Sequence, residues 1–237
     1  MNLQTIQDRI AARFDYSSTA VSSSSNEWDR RTRLINIAAE DWADARNGSW
    51  RSLLTTVSLT PVEGLTYVNL PSDYEHGRGL LAKDTTIAIG GAYFPAMEYD
   101  EIMTLPDGVY ACWITGNAGA GYRLNFTVAP SSTSSFNFSY YSSQLATNVS
   151  GTSIAELTTG TDITKCKDGN YLVSWVLGEL YVIDDEPKKG VLYKQESQKS
   201  LTNMVINETL GEINQSTTIP VISEYQGYEP FGGLQEE

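Results

Sequence analysis

The sequence predicts an α+β protein: a helical bundle made from N-terminal and C-terminal helices, an inserted antiparallel β-domain, and an extended C-terminal tail. Three observations predict it. Apolar residues recur at helical spacing near both ends of the chain. Between those regions they alternate with Ser, Thr and Asn at the period of a strand. After Gly211 neither period survives. The expected division is residues 1–50 for the first half of the bundle, 51–165 for the β-rich insertion, 166–210 for the second half and 211–237 for the tail.

Each element follows from its residues. Leu3, Ile6, Ile10 and Phe14 share one helical face, which predicts an amphipathic helix over Leu3 to Phe14. Ser17 to Ser25 is a Ser-rich connector. The stretch EWDRRTRLINIAAEDWADARNGSW then holds three of the five tryptophans in the chain. Asn26 is the expected N-cap, and Asp29 places a carboxylate near the positive end of the helix dipole. Trp28, Ile35 and Trp42 are spaced by seven and form one stripe, widened by Leu34, Ala38 and Ala39. Arg30, Arg31, Arg33, Glu40 and Asp44 are assigned to the other sides. Asn47-Gly48 is the expected stop, and Trp50 begins the exit segment.

From Thr55 the period becomes two. Val57 and Leu59, then Thr66 to Leu70, then Asp84 to Gly90 read as short strands separated by Pro and Gly turns. Val109 to Thr115 and Tyr122 to Val128 flank GNAGAG as two antiparallel strands with a Gly-rich loop, and Phe136 to Tyr141 is a further strand.

Helix returns at Tyr171 to Asp185. Leu172, Val176, Leu180 and Ile183 mark one face, and Val173, Leu177 and Tyr181 another, so this helix is buried. Its natural partner is the tryptophan stripe. The expected bundle core is therefore Trp28, Ile35, Trp42, Leu172, Val176 and Leu180. Asp184-Asp185-Glu186-Pro187 supplies an acidic cap and a proline at the first position of a last helix, Pro187 to Leu210. That helix packs through Tyr193, Leu201, Met204 and Val205. The remaining segment has no period and cannot build a core of its own.

The formal net charge of −13 argues against gripping nucleic acid or an anionic membrane, yet it allows DNA to pass without sticking. MNLQTIQDRI lacks the apolar core of a signal peptide, and no apolar run reaches membrane-spanning length. The Asn-X-Ser/Thr sequons are accordingly read as unmodified. Cys112 and Cys166 fit no metal spacing and are expected to be buried thiols, with a disulfide left open.

Chemistry is sparse. His76 is the single histidine and is read as a loop residue without a nucleophile. GNAGAGYR joins two strands rather than a strand to a helix, so it reads as a hairpin tip and not a phosphate cradle. Asp100-Glu101 is read as a solvated pair in a loop before Pro106. A carboxylate pair distant in sequence, as in a glycosidase, stays open. The β-region aromatics Tyr110, Trp113, Tyr122, Phe126, Phe136, Phe138, Tyr140 and Tyr141 are read as sheet and core packing, with a sugar-binding face as the rival. No catalytic, cofactor or metal residue is assigned. Tyr225, Tyr228, Pro230 and Phe231 lie in the aperiodic tail and are the candidates for docking on a partner.

Several stretches together resemble the tailed-bacteriophage head-to-tail connector (neck) adaptor family. SNEWDRRTRLINIAAEDWADARNGSWRSL is similar to its second helix, and LTYVNLPSDYEH to the turn after its first strands. FNFSYYSSQLATNVS and NYLVSWVLGELYVIDDEPKKGVLYKQESQKSLTNMV resemble its strand and two C-terminal helices. The Gly/Ser/Thr-rich middle of the β-region has no counterpart in the resemblance. The resemblance implies a structural, non-enzymatic virion protein without cofactor, made in the host cytoplasm and placed in the neck between capsid and tail. It implies a homo-oligomeric ring, a dodecamer matching a twelve-fold portal protein. That ring would bind a downstream tail or neck protein and extend the DNA channel, without a membrane partner. The rivals are another neck ring such as a stopper, a carbohydrate or host-receptor binding module, and a phage glycan hydrolase.

Overall fold

The apolar spacing near the N-terminus produces two helices in the computed structural model, which describes residues 1–216 except 18, 47, 48, 76–85, 98, 118 and 132, with residues 211–216 as helical backbone. The first, α1, is Leu3–Phe14, and Asn2 caps it by accepting the Thr5 N–H. A loop further along the chain supplies other acceptors for its first turn. The Leu3 and Gln4 N–H groups donate to the carbonyls of Asp162 and Gly160. The second helix, α2, is Asn26–Asp44. Its cap is Ser25 rather than Asn26, because Ser25 has the extended backbone of a cap and its hydroxyl accepts the Trp28 N–H. The helix ends at Asp44, before Asn47-Gly48, which lie outside the described residues.

The C-terminal pair mirrors this arrangement. The buried helix α4 is Gly169–Ile183, starting two residues before Tyr171 because Asp168 caps it through the Asn170 N–H. The last helix, α5, begins at Pro187 and runs to Ser216. Gly211 does not stop it. A helical glycine costs only about 1 kcal/mol relative to alanine, too little to end a long helix by itself. Helices α4 and α5 form an antiparallel hairpin that closes at Gly178 and Gly190. A Cβ on Gly190 would stand 2.9 Å from the Gly178 carbonyl oxygen and 2.7 Å from Val182 Cγ2.

The two pairs share one core. Trp28, Ile35 and Trp42 from α2 and Leu172, Val176 and Leu180 from α4 are buried in a single cluster with Leu3, Ile6 and Ile10 of α1. Arg31 belongs to this interior and not to the solvated sides. Its guanidinium forms a bidentate pair with Asp15 at 2.8 and 3.0 Å and donates to Glu27 at 2.8 Å. Burial disfavours its charge, but the two carboxylates outweigh that and hold its pKa above the ordinary arginine value. It thereby fastens the end of α1 to the first turn of α2.

Between the helix pairs lie short antiparallel strands. They begin after a single 3-10 turn at Arg51–Leu53. Strand β1 (Leu54–Leu59) pairs with β7 (Phe136–Tyr141), from Leu54 opposite Tyr141 to Leu59 opposite Phe136. Strand β6 (Gly121–Phe126) pairs with β2 (Tyr67–Asn69) on one side and β5 (Cys112–Asn117) on the other. Strands β3 (Thr86–Ile89) and β4 (Ala92–Pro95) form a hairpin. Their inward faces make a second core containing Phe94, Leu124, Phe126, Phe136, Phe138 and Tyr140. GNAGAG is the tip of the β5–β6 hairpin, where Asn117 Oδ1 accepts the Gly119 and Ala120 N–H groups.

The LPSDYE turn has a structural task. Asp73 accepts hydrogen bonds from Tyr140 Oη at 2.8 Å and Ser142 Oγ at 2.7 Å, which ties the turn to the end of β7. Burial, then the neighbouring Asp73 carboxylate, push the Tyr140 phenol well above its usual range.

From Leu145 the chain returns to the helical core. The small strands β8 (Ala146–Thr147), β9 (Ser153–Ile154) and β10 (Ile163–Thr164) form one sheet. Leu145, Ala146, Leu157 and Cys166 join the bundle cluster. Asn36 on α2 exchanges two hydrogen bonds with the Leu157 backbone, both 3.0 Å. Asp162 gathers the Thr158 and Thr159 N–H and hydroxyl groups. Burial opposes its ionisation, but those donors outweigh it and lower its pKa.

Candidate interaction surfaces

The potentially reactive groups are dispersed. Cys112 and Cys166 are both free and buried, in different cores. Burial pushes each thiol up to about 12. Asp100 and Glu101 sit on a one-turn helix, α3 (Tyr99–Ile102), rather than in an irregular loop. Among the described residues no group of three or more His, Cys, Asp or Glu is arranged to hold a metal ion. No described helix is long and apolar enough to cross a membrane. His76 and the tail residues Tyr225, Tyr228, Pro230 and Phe231 lie outside the described residues.

Two grooves mark opposite ends of the bundle. The first, about 410 Å³, lies where α2 ends, α4 begins and α5 passes, with Trp42, Trp50, Lys167, Met204 and Glu208 among its lining. Trp50 is not a mere exit residue. It is buried, stacks on Trp42 with ring centroids 5.1 Å apart, and donates its indole N–H to the Trp42 carbonyl. Glu208, 7% exposed, accepts the Arg51 N–H at 2.7 Å and Lys167 Nζ at 2.9 Å. Burial works against its negative charge. The Lys167 ammonium and the Arg51 N–H prevail and hold the carboxyl below the usual glutamate range. This clamp joins α5 to the entrance of the β-region. The sequence offers no pattern for it, because Glu208 sits on a polar stretch and meets partners far away in the chain.

The second groove, about 320 Å³, lies at the other end. It is lined by Asn26, Arg30, Arg33, Leu34, Ile37 and Ile183. Ile37 and Ile183 are exposed at 44% and 58%. Arg30 pairs with Glu27 at 3.2 Å, whereas Arg33 makes no ion pair among the described residues. The outer side of α5 adds exposed Val191, Leu192, Ile206 and Leu210. In the β-region Phe126, Phe136, Phe138 and Tyr140 are buried, whereas Tyr93, Tyr99 and Tyr110 face solvent.

This order of elements, two helices, a strand region and two helices, coincides with a family match over most of the chain. The family described as SU10 adaptor protein matches residues 1–219. The chain belongs to that family. It is a structural adaptor protein of a bacteriophage, and its two helix pairs and the strands between them all fall inside the match. A comparison with curated proteins gives no match.

Proposed function

We propose that this SU10-family adaptor forms a ring, a dodecamer, in the neck of the virion. It would join the portal protein to a downstream tail or neck protein and continue the channel through which DNA passes. The observation that carries this reading is the family match running through both helix pairs. The surface supports it. Helix α5 turns Val191, Leu192, Ile206 and Leu210 outward, the last two beside uncharged Thr and Asn residues, an apolar strip that a second chain would cover. A net charge of −13 suits a channel that repels DNA instead of holding it.

In this reading residues 1–50 and 145–216 are the ring body, 51–144 the insertion and 217–237 the docking tail. Tyr225, Tyr228, Pro230 and Phe231 are its anchors, and the ordering entropy of that tail is offset by contacts repeated round the ring. The test mixes the full-length chain with purified portal rings of the same phage and weighs the product by native mass spectrometry. A portal carrying a fixed, whole-number set of copies is expected, and Tyr225, Tyr228 and Phe231 changed together to Ala should abolish attachment. A chain that stays monomeric at saturating portal would refute the reading.

One observation favours a second activity for the insertion. Tyr93, Tyr99 and Tyr110 are each exposed in that region, and exposed rings of this kind stack on sugars. Glycan-array binding lost in Tyr99→Ala would establish it, and an empty array would remove it.

A further inference from the structure

We propose that the Arg30/Arg33 groove is the seat for residues 217–237 of a neighbouring copy, so that chains associate head to tail. This deepens the ring reading above and rests on it. The groove joins apolar Leu34, Ile37 and Ile183 to two arginines, in a chain whose net charge is −13. Residues 217–237 have the complementary composition. They contain Glu224, Glu229, Glu236 and Glu237 and no Lys or Arg, with Tyr225, Tyr228 and Phe231 interleaved. Glu224-Tyr225 and Tyr228-Glu229 each place a carboxylate beside a ring. Such a pair matches an arginine beside an isoleucine.

Position decides which copy is the donor. The groove lies at Ile183, next to the start of α5 at Pro187, and the tail leaves the other end of α5 at Ser216. Those 30 helical residues span about 45 Å. Glu224 and Tyr225 follow Ser216 by eight and nine residues, which reach at most about 29 and 32 Å when fully extended. The Glu224-Tyr225 pair therefore does not return to its own groove, whereas Phe231, fifteen residues past Ser216, has the reach to do so, and the neighbour is the partner for the first pair. A copy placed end to end with the first brings its groove to the departing tail. Different surfaces at opposite ends of one body make a heterologous contact, which closes into a ring when the rotation between copies permits. Neutralising the tail carboxylates on arginines also relieves the mutual repulsion of acidic copies.

The test is cross-linking in full-length chains assembled on portal rings. Asn26→Cys is placed in one preparation and Gln226→Cys in another; the buried native thiols leave the added ones as the reactive pair. Mixing them with a short bis-maleimide should give a cross-linked dimer that neither variant gives alone. Arg30→Glu with Arg33→Glu should reduce it by about tenfold, and the Lys versions should retain it. A ring seen by native mass spectrometry without the mixed cross-link overturns this proposal and leaves the ring reading standing. So does a product found only within one chain carrying both cysteines. A chain that stays monomeric on portal overturns both.

Discussion

Replacing Glu208 tests how α5 is fastened to the rest of the molecule. The carboxylate is nearly buried and accepts the Arg51 N–H at 2.7 Å, a charge-assisted bond worth about 1.5–3 kcal/mol. Its Lys167 partner has a side chain 59% exposed, so that ion pair adds only about 0–1 kcal/mol. Glu208→Ala should therefore cost about 2–3 kcal/mol, or roughly 5–10 °C in Tm for a chain of this size. Glu208→Gln keeps an acceptor for Arg51 and loses only the charge, so about 1 kcal/mol is expected. The pH dependence has a defined sign. The folded carboxyl titrates below its unfolded value of about 4.3, so the unfolded chain takes up the proton first. The stabilisation is complete above that value and is lost as pH falls through the lowered folded pKa. Glu208→Gln should flatten this acid limb. Urea unfolding of the three proteins at pH 7 and at several lower pH values is the assay. Equal losses for Ala and Gln, or an acid limb unchanged in Glu208→Gln, would refute the clamp.

Three further outcomes are expected. Arg31→Met leaves Asp15 and Glu27 without their shared cation; since both carboxylates are about a third exposed and rehydrate, a loss of about 2–3 kcal/mol is expected in thermal unfolding. Gly190→Ala, which helix propensity alone would favour by about 1 kcal/mol, should instead destabilise by about 1–2 kcal/mol, because the new methyl meets the Gly178 carbonyl and Val182; a rise in Tm would contradict that close approach. Cys112 and Cys166, buried and held largely as neutral thiols, should react with Ellman's reagent at pH 8 only after denaturant is added, with two thiols then released.

The α+β architecture was legible wherever one face of an element repeats. Trp28, Ile35 and Trp42 stand a heptad apart, and α4 is apolar on nearly every side, so pairing these helices needed no coordinates. The β5–β6 hairpin was readable from alternation on both sides of a Gly-rich tip. What stayed hidden are contacts made by single polar residues with distant partners. Arg31 looks like a surface charge until Asp15 folds back onto it. Glu208 and Asp162 acquire meaning only from Arg51, Lys167 and the Thr158–Thr159 donors. Cap positions shifted by a residue because Ser25 and Asn26 are comparable caps and backbone geometry chose Ser25. The segment from Leu145 to Cys166 has too few residues per strand to show a period, so its return to the bundle was not readable. The two grooves are lined by residues from several elements, which no local pattern brings together.

Imaging of intact virions by single-particle reconstruction tests the placement in the neck most directly. Helical density for α1, α2, α4 and α5 is expected in a closed ring directly beneath the portal, with each copy touching its neighbour near Ile37 and Ile183. Density for this chain at the tail tip or on the capsid surface, or its absence from mature particles, would contradict the placement.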